Sequence, residues 1–247
     1  MLARHPPARV TAQVVGIEDA TYDIRILRLA VEGGPFPFEA GQYARLRFDD
    51  LPARDYSMAN RPGTDLLEFH IRNLGDGASN YVATRIAAGE AVEIEGPFGD
   101  AYLRREHRGA ILAVAGGSGL APMASIVETA LAGDPARRVH LYLGARDERD
   151  IYLERRLREL EAGHPGFRFV PVLSAPSGPT ARRRGLIGDA VAADFPELAG
   201  FKAYLAGPPA MVEAAIAMLV DRGLPAEDIH ADPFYSEEEN RRRRGLG

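Results

Sequence analysis

Apolar and polar residues follow two different patterns along this chain, and the pattern changes near residue 105. From residue 8 to residue 103, short segments such as "RVTAQVVGIE" and "QYARLRF" alternate apolar and polar residues, and glycine-containing turns separate them. A period of two is typical of strands with one buried face. Many short strands at this spacing predict an all-β antiparallel barrel of the Greek-key kind, closed or nearly closed, with one short helix at "SNYVATRIA".

The second half of the chain has a different rhythm. The segment "GAILAVAG" is a continuous apolar run, as expected for a parallel strand that is buried on both faces. Segments with helical spacing, such as "APMASIVETALA", then alternate with further strands. This alternation implies right-handed crossovers and predicts an α/β doubly wound parallel-sheet domain. We place the two domains at 1–104 and 105–235, and we expect 236–247, which contains four consecutive arginines, to be a flexible tail.

Composition excludes several classes of function. The 247 residues suffice for two modest domains, and the net charge of −5 argues against a nucleic-acid partner. The absence of cysteine excludes disulfides, thiolate catalysis and all-cysteine metal sites, and no metal site is predicted. No apolar run approaches the roughly 20 residues of a membrane span, and the N-terminus lacks a signal-type segment. We therefore expect a cytoplasmic protein without a membrane span.

A glycine-rich turn follows the first strand of the second half. In "GGSGLAP", Gly117, Ser118 and Gly119 would let backbone amides approach a pyrophosphate, and the following helix N-terminus favours an anion. Pro122 suits the first turn of that helix, where its missing amide hydrogen would have no intrahelical partner. The alternative is a strand-to-helix turn without a ligand.

A second turn of the same kind follows a later strand, in "LAGPPAMVEAA". Gly207, Pro208 and Pro209 predict a rigid turn, and Met211 begins the next helix. Ligands of such sheets bind beyond the carboxyl ends of the strands. The alternative is a plain turn with Met211 in the core.

The barrel half contains a further candidate anion site in "HIRNLGDGASNYV". Arg72 precedes Gly77, Ala78 and Ser79, and these small residues stand at a predicted helix start. Ser79 could instead only cap that helix. A single histidine, His70, is a weak signal for a metal and fits an ordinary strand position.

A strand end, "ARDYS", combines a cation, an aromatic ring and a hydroxyl in Arg54, Tyr56 and Ser57. A ligand that has both a phosphate and a flat ring would use all three. Alternation places Arg54 and Tyr56 on one face of a strand and Ser57 on the other, unless the strand ends there.

Taken together and in this order, the motifs resemble the ferredoxin–NADP reductase superfamily, in its oxygenase-reductase and flavin-reductase branch. "RDYS" resembles the family's flavin motif, "GGSGLAP" its nucleotide motif, "AGPP" its Cys-Gly-Pro-Pro motif and "GPFGDAY" its interdomain turn. The resemblance covers about residues 8 to 235. It implies an FAD-binding barrel domain and an NAD(P)-binding α/β domain.

The resemblance also implies roles for individual residues. Arg54 would neutralise the FAD pyrophosphate, while Tyr56 and Ser57 would act at the flavin ring and near its N5. Phe234 would cover the other flavin face, with Tyr235 as second choice. The implied catalytic residues are thus Tyr56, Ser57 and Phe234. The implied cofactor-binding residues are Arg54, Tyr56, Ser57, His70, Ile71, Arg72, Gly77, Ala78, Ser79, Gly117, Ser118, Gly119, Pro122, Arg146, Gly207, Pro208, Pro209, Met211 and Phe234.

The chain departs from the family pattern in three ways, one of which is a spacing from Arg72 to Ser79 about one residue shorter than in some oxygenase reductases. Ala206 stands where the family has the cysteine of its Cys-Gly-Pro-Pro motif, and the chain has no cysteine to ligate the iron–sulfur cluster that many oxygenase reductases carry. For the nicotinamide cofactor, Asp147 and Asp150 would suit a ribose hydroxyl, whereas Arg146 would attract a 2′-phosphate. The sequence favours NADH, with NADPH as the alternative.

Three functions remain open at this point. The leading one is an FAD-dependent NAD(P)H oxidoreductase that passes electrons to a separate acceptor, a ferredoxin or an oxygenase component. A free-flavin reductase is the second, although Arg72 and the helix start at Ser79 favour an FAD that stays bound. A non-catalytic nucleotide-binding regulatory subunit is the third, and Ala206 is the feature that favours it.

Overall fold

The structure of the chain, a computed structural model, describes residues 5–236 together with residues 239 and 242. Of the tail predicted at 236–247, only residues 236, 239 and 242 fall within this part. Two six-stranded sheets follow each other along the chain. The first contains β1 (Ala8–Asp19), β2 (Ile24–Val31), β3 (Tyr43–Phe48), β4 (Arg54–Ser57), β5 (Leu66–Arg72) and β6 (Ala91–Phe98), with helix α1 (Gly77–Thr84) between β5 and β6.

The first sheet closes on itself as an antiparallel barrel. Its strand order is β4-β3-β6-β1-β2-β5, so that β4 and β5 are the two edges. These edges meet through an antiparallel bridge between Met58 and Phe69, and the Ala59 amide donates to the Glu68 carbonyl at 2.7 Å. The interior is filled by alternate apolar side chains, as expected for strands with one buried face. The predicted antiparallel barrel is confirmed.

The second sheet is parallel throughout and has the order β10-β9-β8-β7-β11-β12. Connections run outward from β7 in both directions, so the topological switch point lies between β7 and β11. All six residues of β7 are buried, which explains its unbroken apolar sequence. The strands are β7 (Ile111–Gly116), β8 (Val139–Ala145), β9 (Phe167–Leu173), β10 (Arg183–Arg184), β11 (Lys202–Gly207) and β12 (Ile229–Pro233).

Helices cover both faces of this parallel sheet, as in a doubly wound domain. The helices are α2 (Leu120–Gly133), α3 (Glu154–Gly163), α4 (Ile187–Asp194) and α5 (Pro209–Asp221). Buried residues of α2 and α3 share one apolar cluster with the sheet, and buried residues of α4 and α5 share another. The predicted α/β fold is confirmed, although the two-residue β10 was not predicted and α5 begins at Pro209, ahead of Met211.

The barrel packs directly on the face of the parallel sheet that carries α2. The apolar cluster on this face includes Ile24 and Ala40 from the barrel half. The hydroxyl of Ser125 in α2 donates to the carbonyl of Asn60, just after β4, at 2.6 Å. The turn at Gly117–Gly119, which follows the carboxyl end of β7, is thereby brought next to β5. None of the helices in the described ranges has the length and apolar character that a membrane crossing requires.

Candidate functional site

The glycine-rich turn lies at the switch point between β7 and β11. Residues Gly117–Gly119 form a short 3-10 helix that leads into α2, and Gly117 has φ +55°, in the left-handed region that favours glycine. No side chain caps the start of α2, and its first turn contains no acidic residue. Pro122 is the third residue of the helix, in the predicted first turn. The Leu120 amide bonds the Gly117 and Ser118 carbonyls and Pro122 has no amide hydrogen, so the helix start favours an anion through the remaining turn amides and the helix dipole.

The second turn packs against the first. A Cβ added to Gly119 would lie 2.1 Å from the carbonyl oxygen of Ala206, so only glycine permits this approach. A Cβ on Gly116 would lie 2.6 Å from the sulfur of Met211. The amide of Phe234 donates to the carbonyl of Gly207 at 2.9 Å, which places the backbone of Phe234 beside the second turn. The two predicted nucleotide motifs and Phe234 thus form one local cluster.

Arg72 joins this cluster to the barrel. A Cβ added to Gly117 would lie 2.9 Å from Nη1 of Arg72, so the guanidinium rests on the turn itself. Its Nε donates to Oδ2 of Asp23 at 2.8 Å, which fixes the side chain at the end of β5. Arg72 of the barrel thus lies at the turn that begins helix α2 of the α/β half. This arrangement suits two phosphate-bearing ligands, one held by each half.

The start of α1 provides a second set of open amides on the barrel side. Its N-cap residue is Asp76, whose side chain makes no capping hydrogen bond. Ser79 lies in the first turn of the helix and is not its cap. Its hydroxyl accepts from the Leu74 amide at 3.1 Å and donates to the Asp76 carbonyl at 3.0 Å. Gly77 and Ala78 precede it, so small residues line this helix start as predicted.

The "RDYS" segment forms β4, at the edge of the barrel sheet. Ser57 ends the strand and is buried, paired with Tyr43 of β3, while Arg54 and Tyr56 are half-buried. The Tyr56 ring packs edge-on against Phe48 with centroids 6.3 Å apart. Burial raises the pKa of Tyr56 to about 12, so its phenol is neutral at physiological pH. This strand end offers a neutral aromatic ring and a hydroxyl together.

A carboxyl group that the sequence did not single out lies near this strand. Asp232 of β12 borders a cavity of about 280 Å³ that Tyr43, Arg104 and His230 also line. Burial, and then the charge of Asp55, raise the pKa of Asp232 to about 6. A carboxyl group with such a pKa can hold or release a proton near neutral pH.

Comparison with known proteins identifies the family. Residues 11–102 match the model of the oxidoreductase FAD-binding domain, and residues 113–216 match that of the oxidoreductase NAD-binding domain. The reductase component of the naphthalene 1,2-dioxygenase/salicylate 5-hydroxylase systems of Ralstonia sp. is 46% identical over 233 residues, which cover 94% of this chain and 70% of the relative.

The chain belongs to the ferredoxin–NAD(P)+ reductase family of FAD- and NAD-binding oxidoreductases.

Other relatives agree with this assignment. The ferredoxin–NAD(P)+ reductase component of the Pseudomonas putida naphthalene 1,2-dioxygenase system is 41% identical over 235 residues, covering 95% of this chain and 71% of the relative. The solved structure of an Amycolatopsis cytochrome P450 reductase has a TM-score of 0.88 and 40% identity, covering 93% of this chain and 71% of that chain. The reductase is thus an FAD-dependent NAD(P)H oxidoreductase, as the motifs indicated.

The residues of the reductase fit both cofactors. Two helix starts without side-chain caps, one in each half, suit the phosphates of FAD and of the dinucleotide. The chain also provides arginines at both ends of the barrel site, Arg54 at β4 and Arg72 at β5. The contacts that individual residues make with a cofactor stay predictions, Ile71 and Ser118 among them.

Two of the predicted cofactor-binding residues, His70 and Arg146, lie outside the cluster of the two turns, and their contacts with a cofactor stay predictions. The imidazole of His70 is fully buried against Tyr152 and Glu68. Arg146 is exposed at the carboxyl end of β8, beyond the two packed turns. The neighbouring acids each accept from a backbone amide, Asp147 from Glu148 at 2.8 Å and Asp150 from Asp147 at 3.0 Å, while Oδ1 of Asp150 is buried without a hydrogen-bond partner among the described residues. The choice between NADH and NADPH therefore stays a prediction.

Sequence reasoning missed the polar residues that lie between the two halves. Asp23, Glu68, Tyr152 and Arg156 stand far apart along the chain and belong to no motif. The only signal available was in "LLEFHIR", where charged and polar residues recur at every second position between apolar ones. That pattern indicates a strand whose outward face meets something polar, but it does not identify the partner. In the described part of the chain, no group of three or more histidine or acidic side chains is arranged to hold a metal ion.

Proposed function

We propose that the reductase carries electrons from NAD(P)H, through FAD held by the barrel, to a separate acceptor protein, a ferredoxin or an oxygenase component. The names of the Ralstonia and Pseudomonas putida relatives support this acceptor class, since both are reductase components of dioxygenase systems. The observation that carries the proposal is the approach of Arg72 to Gly117, which brings the barrel's anion site and the nucleotide turn together.

The barrel side would hold the flavin. Arg54 and Arg72 supply the cations for its pyrophosphate, and the open amides at the start of α1 add backbone donors. Tyr56 offers a neutral ring face for stacking, and Ser57 offers a hydroxyl donor from a rigid strand end. When bound, the flavin supplies the capacity to accept a hydride and to release electrons one or two at a time.

The α/β side would hold the reduced nicotinamide dinucleotide. Backbone amides of Gly117–Gly119 and the start of α2 would bind its pyrophosphate. The Gly207–Pro209 turn, with Met211, would flank its nicotinamide ribose and help to exclude water. Phe234, tied to Gly207 through its amide, would cover the reacting face and yield when the nicotinamide enters.

The purified protein tests this function directly. A yellow protein after gel filtration shows that flavin is retained, whereas a colourless one would favour the free-flavin reductase. Anaerobic addition of NADH, and separately of NADPH, should then bleach the oxidised-flavin band near about 450 nm. The absence of bleaching with either would favour the regulatory subunit. Reoxidation of the reduced protein by a purified ferredoxin tests the acceptor class.

Two further expectations accompany this proposal. The boundary between the FAD-binding and NAD(P)-binding domains, which we place at residues 104 and 105, falls in the segment between β6 and β7. A cytoplasmic location is supported by the absence of cysteine, which fits a reducing compartment. Limited proteolysis and cell fractionation are the respective tests.

A further inference from the structure

One face of β5 presents a row of polar side chains toward the α/β half. Glu68, His70 and Arg72 alternate with Phe69 and Ile71, which fill the barrel. Because successive side chains of a strand point to opposite faces, the three polar groups project together from the barrel. The row is unusual for its burial: the His70 side chain has no exposed surface, and that of Glu68 is only 10% exposed.

The first member of the row forms a charged contact between the halves. Oε1 of Glu68 accepts from Nη1 of Arg156 in α3 at 2.9 Å, and Arg156 also makes two hydrogen bonds to Glu128 of α2. Burial opposes ionisation of Glu68, but its hydrogen bonds to His70 and Arg156 and the charge of Arg156 lower its pKa. Glu68 is therefore a carboxylate at neutral pH and accepts hydrogen bonds only.

The charge on Glu68 determines the tautomer of its neighbour. Nε2 of His70 lies 3.2 Å from Oε1 of Glu68, so the ring carries its proton on Nε2. Burial lowers the pKa of His70, so the imidazole is neutral and Nδ1 is an acceptor. The Tyr152 hydroxyl, 3.1 Å from Nδ1, is its donor. Tyr152 therefore donates to His70, and His70 donates to Glu68.

The chain of contacts ends on the nucleotide turn. The hydroxyl oxygen of Tyr152 lies 3.5 Å from the carbonyl oxygen of Gly117, a long contact that its proton can share. The other side of the same glycine is covered by Arg72, from the next position of the polar row. Gly117 therefore lies between Arg72, which is on β5, and Tyr152, which is hydrogen-bonded to His70 of the same strand.

We propose that His70 and Tyr152 are positioning residues, which hold the nucleotide turn at Gly117 in register with Arg72 on the barrel. Both would act on the turn and not on a reacting atom. They act by fixing the backbone that would carry the dinucleotide relative to the strand that would carry the flavin phosphates. Small misplacements of reacting groups reduce rates strongly, by about 100-fold for an error of about 1 Å. The consequence for electron transfer rests on the proposed function, whereas the positioning of the turn does not.

The substitution Tyr152→Phe removes the hydroxyl and keeps the buried ring, whose centroid lies 5.3 Å from that of His70. Tyr142→Phe is the matched control. The hydroxyl of Tyr142 is also hydrogen-bonded, to Asp194, but its ring lies in the apolar cluster on the opposite face of the same sheet. Both variants lose one buried tyrosine hydroxyl from the α/β half, and only one loses contact with the turn.

Three measurements are made on the full chain with its flavin. Hydrogen exchange of the peptide that spans residues 112–120 should be faster in Tyr152→Phe than in wild type and unchanged in Tyr142→Phe. The dissociation constant for NAD+, measured by calorimetry, should rise about tenfold or more in Tyr152→Phe and stay unchanged in Tyr142→Phe. The limiting rate of anaerobic flavin reduction should fall about tenfold or more, again only in Tyr152→Phe. The flavin content of both variants should match wild type, because the barrel site is untouched.

Equal exchange at residues 112–120 in the two tyrosine variants would overturn the proposal, whatever the activity. If wild type is not reduced by NADH or NADPH, the proposed function fails while the exchange result still decides the positioning role. A second pair covers the case in which Tyr152→Phe does not fold. His70→Gln retains an acceptor for the tyrosine hydroxyl and should loosen the turn less than His70→Leu, and equal effects of the two would contradict the proposal.

Discussion

The contact between Gly119 and Ala206 leads to a prediction with a defined magnitude. The substitution Gly119→Ala would place a methyl group 2.1 Å from the Ala206 carbonyl oxygen, 2.4 Å from its carbonyl carbon and 2.8 Å from the Gly207 amide nitrogen. These are backbone atoms, so no side-chain rotation relieves the overlap, and the two turns must separate by about 1 Å. Overpacking costs typically 1–3 kcal/mol, and we expect the upper end, about 3 kcal/mol.

The same helix provides a control of opposite sign. Gly133 is the last residue of α2, and a Cβ built there meets nothing within 4 Å. Alanine has a higher helix propensity than glycine, so Gly133→Ala should stabilise the chain by a few tenths to about 1 kcal/mol. The two variants make the same chemical change on one helix, and they differ only in what the added methyl group touches.

Urea unfolding followed by circular dichroism is the assay. With a slope of about 2–3 kcal/mol per molar, the midpoint of Gly119→Ala should fall by about 1 M, and that of Gly133→Ala should stay or rise slightly. The affinity of the Gly119→Ala variant for NAD+ should also fall, because its turn is displaced. A midpoint for Gly119→Ala equal to that of wild type would show that the two turns are not in tight contact, and the description of the nucleotide site would then be wrong.

Further substitutions test the barrel side and the buried carboxyl groups. Arg54→Ala should weaken FAD retention by about tenfold, as expected for a lost charge-assisted contact, and an unchanged ratio of flavin to protein absorbance after gel filtration would contradict the assignment. Asp232→Asn should be more stable than wild type above about pH 6, by at most about 3 kcal/mol. Because the folded-state pKa of Asp232 is raised, the cost of ionising this buried carboxyl group destabilises wild type increasingly as the pH rises from 3.8 to about 6. Melting temperatures of wild type and Asp232→Asn that do not converge below about pH 4 would contradict this prediction. Glu68→Gln should cost about 3 kcal/mol at pH 7. The pKa of Glu68 is lowered from 4.5 to about 2, so the deficit should shrink as the pH falls across that range, and a deficit independent of pH would refute the reasoning.

Local patterns were enough to predict both folds and the turns that line the candidate site. Alternation along β1–β6 predicted the barrel, and the unbroken apolar run of β7 predicted a strand covered on both sides. Gly117 was recognisable because a turn that binds a phosphate requires small residues and a helix start, and Gly207 because Gly-Pro-Pro after a strand predicts a rigid turn. Such demands act between neighbours in the chain, so they leave a signature in a short stretch of sequence.

The residues between the halves left no such signature. His70 was visible as a strand residue, but its partner Tyr152 follows 82 positions later, between β8 and α3, and the contact exists only because β5 packs against the α/β half. Asp232 was equally hidden, since its raised pKa comes from burial beside Asp55 of another strand. The sequence by itself determined the elements, their order and the glycine-containing turns, because those depend on local periodicity and backbone freedom. The packing of the barrel on the parallel sheet decided which polar groups are buried, paired and able to position the site, because desolvation and hydrogen bonding depend on neighbours that only the tertiary structure brings together.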